Sequence, residues 1–131
     1  MTEESLQERE VYRFLADKIE SVPHLEALLL IWNSRPSKWS AQDLAKRLYT
    51  EPDAARALLQ DLTREDLISP FPGTAEQYYY NEKSPERERT IELLDATYRK
   101  HVVRISTMIH SKASSAVRDF ARAFRFKKEK E

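Results

Sequence analysis

The side chains best suited to acid-base or metal chemistry in this 131-residue chain are its three histidines, His24, His101 and His110. Imidazole is the one side chain that titrates near neutral pH without perturbation. Catalysis by such a group needs partners that converge on it. The linear sequence offers none: His101 and His110 are nine residues apart, on opposite faces of a helix, and no histidine stands beside Asp or Glu at the spacing of a zinc site. Without cysteine there is no thiolate ligand or thiol nucleophile, and a single glycine, Gly73, excludes a glycine-rich phosphate loop. Glu86, Glu88 and Glu92 alternate with Arg87 and Arg89, the pattern of a solvated helix start. The expectation is a chain with no catalytic residue, no metal and no cofactor. Binding is the chemistry left to it.

Charge distribution narrows what is bound. The 22 Lys and Arg balance 22 Asp and Glu, but residues 1–98 carry 12 cations against 19 acids and residues 99–131 carry 10 against 3. Such a split suits an acidic partner for the C-terminal arm, or self-association of basic tail with acidic body; a solvated helical surface with a charged tail accounts for it equally. With 40% hydrophobic residues the chain can bury one modest core and is expected to be a helix-rich domain. The longest apolar run, Ala27 to Trp32, falls far short of the roughly 20 residues that span a bilayer. The acidic start Met1-Thr2-Glu3-Glu4 is unlike a signal peptide, and no cysteine is present for disulfides, so a cytoplasmic location is expected.

The elements that would position a binding surface follow from apolar spacing and capping. Leu6, Val11, Phe14, Leu15 and Ile19 recur at helical intervals between Glu3 and Glu20. Ser21 can cap a second helix that tolerates Pro23 in its first turn and carries Leu25, Leu28, Leu29, Ile31 and Trp32, so this should be the most buried helix. Pro36 disfavours helix at Arg35 and ends it near Ser34. Ser40 and Asp43 form a capping box ahead of Leu44, Ala45 and Leu48, and Thr50 with Asp53 repeats the logic ahead of Ala55, Leu58, Leu59 and Leu62. Leu67-Ile68-Ser69 and Gln77-Tyr78-Tyr79-Tyr80 read as two strands about a tip at Gly73. Alternate tyrosines of the second strand should pack on the core, as should Trp32 and Trp39. Ile91, Leu94, Tyr98, Val102, Ile105 and Ile109 keep a 3-to-4 spacing for more than five turns, which predicts one long amphipathic helix. Ser114 or Ser115 can cap a last helix bearing Val117, Phe120, Ala121 and Phe124.

Three helices, a tight turn between the last two, and a hairpin occur here in the order of the winged helix-turn-helix. The string from Trp39 to Leu48 resembles the first helix of the helix-turn-helix in bacterial winged-helix transcriptional regulators, with Ala45 as the small residue that admits the next helix. Leu58, Leu59, Leu62 and Arg64 to Ile68 resemble the end of the family's recognition helix and its passage into the wing. The junction usually holds a left-handed glycine; this chain has Asp66, so a different helix ending is expected. The resemblance covers about His24 to Asn81 and implies a mainly α fold with a small β-hairpin. An N-terminal helix (1–22), a winged helix-turn-helix domain (23–83) and a long C-terminal helical extension (84–131) would make up the chain.

The resemblance further implies that the helix from Glu51 to Glu65 lies in a major groove of duplex DNA, with Asp53, Ala54, Arg56, Ala57, Gln60 and Arg64 outward. Arg56 would read guanine and Gln60 adenine, Lys46, Arg47 and Arg64 would meet phosphates, and Ser40 and Gln42 would approach the DNA from the start of the preceding helix. The residues themselves raise an objection. Glu51 to Asp66 holds Arg56 and Arg64 against Glu51, Asp53, Asp61, Glu65 and Asp66, a net of −3, and the wing from Ser69 to Tyr80 has no Lys or Arg. An acidic helix beside an aromatic wing equally suits an adaptor that docks a protein, through residues such as Asp53 and Tyr79.

The stripe of the C-terminal helix must be covered, and pairing of two copies through 85–110 is the expected solution. A hairpin with the N-terminal helix within one chain is the alternative. Arg118, Arg122, Arg125, Lys127 and Lys128 flank Phe120 and Phe124, and are expected to dock on the protein's own body or to follow a phosphate backbone. An apolar face this short gives no stable membrane binding without a second signal.

Overall fold

The computed structural model describes residues 3–74 and 76–112. Six helical segments and a small antiparallel sheet make up these residues. Helix α1 is Glu3–Lys18, α2 is Val22–Asn33, strand β1 is Trp39–Ser40, α3 is Ala41–Leu48, α4 is Pro52–Arg64, β2 is Ser69–Pro70, β3 is Gln77–Tyr79 and α5 is Pro85–Lys100. Residues 102–112 are again helical and are labelled α6.

Helix starts largely follow the capping residues. The Ser21 hydroxyl accepts from the His24 amide at 3.3 Å, Ser40 from Asp43 at 3.1 Å, and Ser84 from Arg87 at 3.1 Å. Each satisfies one amide that the first turn leaves unpaired. Helix α4 departs from expectation, for its cap is Glu51, not Thr50, and makes no side-chain bond. Asp53 instead holds Arg56.

Helices α3 and α4 end in left-handed residues. Tyr49 has φ 55° and ψ 47°, and the amides of Tyr49 and Thr50 both reach the Ala45 carbonyl. Asp66 has φ 60°, with Leu67 N–H donating to Leu62 at 2.9 Å and Asp66 N–H to Thr63 at 3.0 Å. That pair of bonds is a Schellman ending, and the flanking Leu62 and Leu67 are both buried. The helix therefore stops as a glycine-bearing junction would, against the expectation of a different ending. Asp tolerates the left-handed region better than most residues because its side chain is short and polar. Lys83 pairs with the Asp66 carboxylate at 2.9 Å, and this bond and charge hold its carboxyl below the usual range.

The sheet has the order β1-β3-β2, antiparallel throughout. Trp39 faces Tyr78 and Ser40 faces Gln77 across one side of β3, while Ser69 faces Tyr79 and Pro70 faces Tyr78 across the other. Two details differ from the sequence reading. The first strand of the hairpin begins at Ser69, because Leu67 and Ile68 are drawn fully into the core. Trp39 and Ser40 form a third strand in addition to leading into α3. At the hairpin tip Gly73 has φ 78°, a conformation that costs glycine nothing. Tyr80 is buried, Tyr78 packs against the core, and the Tyr79 ring meets Phe71 edge-on at 5.1 Å, so alternation along β3 holds.

One core runs from Val11 to Ile109, and α2 contributes six buried side chains to it. The expected single long C-terminal helix is two helices. The backbone at His101 leaves the helical region (φ −132°, ψ 51°), while its amide still bonds to Thr97 and its carbonyl accepts from Ile105. The last turn of α5 lies beside Gln7 and Glu8, and Lys112 reaches the carbonyls of Leu15 and Ile19 at 3.3 and 3.1 Å, so α6 returns along α1. Ile91, Leu94, Ile105 and Ile109 are consequently buried within one chain. This is the hairpin arrangement, closed by a third helix. Val102, expected on the stripe, is 46% exposed, and Leu6, expected on the face of α1, is 54% exposed. The C-terminal segment that carries Arg118, Arg122, Arg125, Lys127 and Lys128 lies outside the described residues. No helix among the described residues is long and apolar enough to cross a membrane.

Candidate nucleic-acid and partner interface

Helices α3 and α4 pack closely on one another through Leu44, Ala45, Ala55, Leu58 and Leu59, all buried. Their opposite faces are what a partner would meet. On α4, Asp53, Ala54, Ala57, Gln60 and Arg64 are exposed and Arg56 is half-exposed, as the helical period requires.

Geometry changes the standing of the two arginines. Arg56 Nη1 lies 2.8 Å from Asp53 Oδ1 and Arg64 Nη2 lies 3.0 Å from Asp61 Oδ1, both three residues apart on the same helix. Each expected contact thus carries its own counter-charge. Such surface pairs are worth at most about 1 kcal/mol and can be broken, but an incoming phosphate would still face the acid left behind. Asp61 also receives His24, with Nε2 at 2.8 Å from Oδ2, and the other imidazole nitrogen, Nδ1, lies 2.5 Å from the Ser21 hydroxyl. Glu65 meets Lys18 at 3.6 Å. Against the expectation that no histidine has an acid at ligand spacing, Glu20 stands four residues before His24, and the second acid, Asp61, comes from another helix, 37 residues on.

The α3 side is different. Lys46 and Arg47 are exposed on its last turn, as is Gln42 on its first, while the Ser40 hydroxyl is occupied in capping. Lys38, which the sequence reading passed over, joins Lys46 and Arg47 around a hollow of about 320 Å³ floored by Trp39 and completed by Ser37 and Asp43. Trp39 is fixed there by its indole N–H, which donates to Ser34 Oγ at 2.9 Å. The Arg47 guanidinium sits 5.8 Å from the Trp39 ring and the Lys38 ammonium 3.9 Å from the Phe71 ring, so aromatic faces hold both cations without neutralising them. Among the described residues, none of the three is in an ion pair. A sequence signal for Lys38 existed in its place beside Trp39, but only the pairing of β1 with β3 brings it to the hairpin.

The base of the hairpin is clamped separately. Arg35 stacks 4.2 Å from the Trp32 ring and pairs with Glu88 at 3.4 Å, and the buried Tyr80 hydroxyl donates to the same carboxylate. Burial first, then the adjacent Glu88, push the Tyr80 phenol well above its ordinary value. Comparison with protein-family models, curated proteins and solved structures finds no match for this chain.

Proposed function

We propose that this chain is a winged helix-turn-helix module of the kind found in DNA-binding transcription regulators, and that it engages duplex DNA chiefly through the phosphate backbone. Support for the fold reading is the order α2-β1-α3-α4-β2-β3, with β1 closing the sheet against β3 and a left-handed junction leading into the wing. The ligand reading rests on one observation. Among the described residues, Lys38, Lys46 and Arg47 surround Trp39 with no acid in ion-pair contact with any of them, whereas both cations of α4 are paired. Exposed unpaired cations gain most from a phosphate, since each contact releases a condensed counterion. Gln60 is the remaining outward group on α4 suited to a base edge. The proposal is for the single chain, because the stripe that would have joined two copies is buried within one.

A salt titration of binding to random-sequence duplex tests it. Three phosphate contacts predict a slope of log affinity against log salt of about −3, and Lys46→Ala with Arg47→Ala should flatten it by about 2 while Arg56→Ala changes little. No binding at low salt, or a slope unmoved by the double variant, overturns the proposal. The paired cations and acids of α4 favour a second reading, an adaptor whose α4 and tyrosine-bearing wing dock a protein. That reading expects a stable protein complex sensitive to Asp53→Ala and Tyr79→Ala.

A further inference from the structure

The junction between α1 and α2 meets α4 at a cluster whose composition suits a metal. Glu20, His24 and Asp61 each present one ligand atom, and the three atoms lie within 4.8 Å of one another. His24 Nε2 is 2.8 Å from Asp61 Oδ2 and 3.8 Å from Glu20 Oε2. Around a tetrahedral ion with bonds of about 2.0–2.2 Å, ligand atoms stand roughly 3.4 Å apart. The two separations from His24 bracket that figure and the third lies within 4.8 Å, so side-chain movement of about an ångström would seat an ion.

Independently of the ligand spacing, the surroundings match what a metal-binding histidine needs. His24 is held at Nδ1 by Ser21 Oγ at 2.5 Å, and that hydroxyl is itself anchored by the His24 amide. In the ion-free chain Nε2–H serves the bond to Asp61; with the ring proton on Nδ1 instead, donated to Ser21 Oγ, the imidazole presents its Nε2 lone pair outward, the usual outer-shell arrangement of a metal-bound histidine. Asp61 is held likewise, because Arg64 occupies Oδ1 and leaves Oδ2 for the cluster. The His24 side chain is largely buried while Glu20 is exposed, so an ion would enter from the Glu20 side. One neutral imidazole and two carboxylates carry two negative charges, matched by one divalent cation.

We infer that Glu20, His24 and Asp61 form a binding site for one divalent cation of the Zn²⁺ class, with Ser21 and Arg64 orienting the ligands. A nitrogen ligand and so small a donor set disfavour Ca²⁺ and Mg²⁺, which require oxygen-rich shells. Binding replaces the direct bond between His24 and Asp61 by two bonds to the ion. His24 then donates from Nδ1 to Ser21 and coordinates through Nε2. The ion ties the start of α2 to the middle of α4 and cancels the charge of Asp61 on the face of that helix. The site stands whether or not the protein binds nucleic acid.

Isothermal titration of the untagged full chain with Zn²⁺ provides the test, with Mg²⁺ as a second titrant. One Zn²⁺ per chain is expected, with no Mg²⁺ uptake. Glu20→Gln should weaken binding by at least about 10-fold and His24→Gln by more, since even outer-shell changes cost that much. Glu20 is largely exposed, so its variant folds, and circular dichroism of both variants checks that they do. Co²⁺ substitution adds a visible spectrum whose intensity reports four-coordination. Stoichiometric Zn²⁺ binding lost in both variants supports the site. No binding by the native chain, or binding unchanged in Glu20→Gln, overturns it, the latter because Glu20 would then be no ligand.

Discussion

Replacing Tyr49 by glycine should stabilise this protein. Tyr49 ends α3 at φ 55°, and its side chain is 96% exposed, so it gives the folded state almost nothing in packing. A left-handed backbone costs an L-residue roughly 1–2 kcal/mol, from the approach of Cβ to the following carbonyl. Glycine removes that cost but loses about 0.4–1 kcal/mol more conformational freedom on folding. The net gain is about 0.5–1 kcal/mol. With an unfolding entropy near 2.1 cal/mol/K per residue, that corresponds to a rise in Tm of about 2–4 °C. Differential scanning calorimetry at fixed protein concentration measures it. Tyr49→Ala serves as the control, because alanine loses the ring but keeps the strained Cβ, and its Tm should stay within about 1 °C of native. Equal Tm values for the glycine and alanine variants would refute the reasoning, for the backbone strain would then contribute nothing.

Other outcomes follow from the packing of the C-terminal helices and the base of the hairpin. Ile105→Ala should cost about 2–4 kcal/mol in urea unfolding, since Ile105 is fully buried. The native Tm should not vary with protein concentration, as it would if two copies were needed to cover the stripe. Lys112→Met removes two charge-assisted bonds to the carbonyls of Leu15 and Ile19 and should cost about 1–2 kcal/mol; an unchanged urea midpoint would mean that α6 is not fastened there. The raised Tyr80 phenol stays protonated in the folded state after tyrosines of the unfolded chain ionise. Its contribution is therefore complete below about pH 10 and falls away as pH rises further. Tyr80→Phe should lower neutral stability by about 1 kcal/mol and flatten that alkaline decline, which urea midpoints measured between neutral and alkaline pH would reveal.

Local features of this chain were written in its sequence. Ser21, Ser40 and Ser84 cap helices because a hydroxyl three residues before an amide suffices, whatever lies farther away. Apolar spacing likewise marked which faces of α2, α3 and α4 turn inward, since burial follows the helical period. The hairpin tip at Gly73 needed only a residue that accepts positive φ.

Tertiary structure decided what depends on more than one segment. The break at His101 leaves the 3-to-4 spacing intact on both sides, so periodicity could not register it; the return of α6 along α1 is visible only in the contacts of Ile105, Ile109 and Lys112. Strand β1 is two residues long and exists because β3 lies beside it. Most of all, the charges of Arg56, Arg64, Lys46 and Arg47 look alike in the sequence, each with an acid one turn away, yet among the described residues only the first two are paired to theirs, while Asp43 leaves Lys46 and Arg47 unpaired. Whether a cation is available to a partner depends on which groups the fold brings within a few ångströms. The same dependence brings Asp61 to His24 and Glu20, which already stand four residues apart in the sequence.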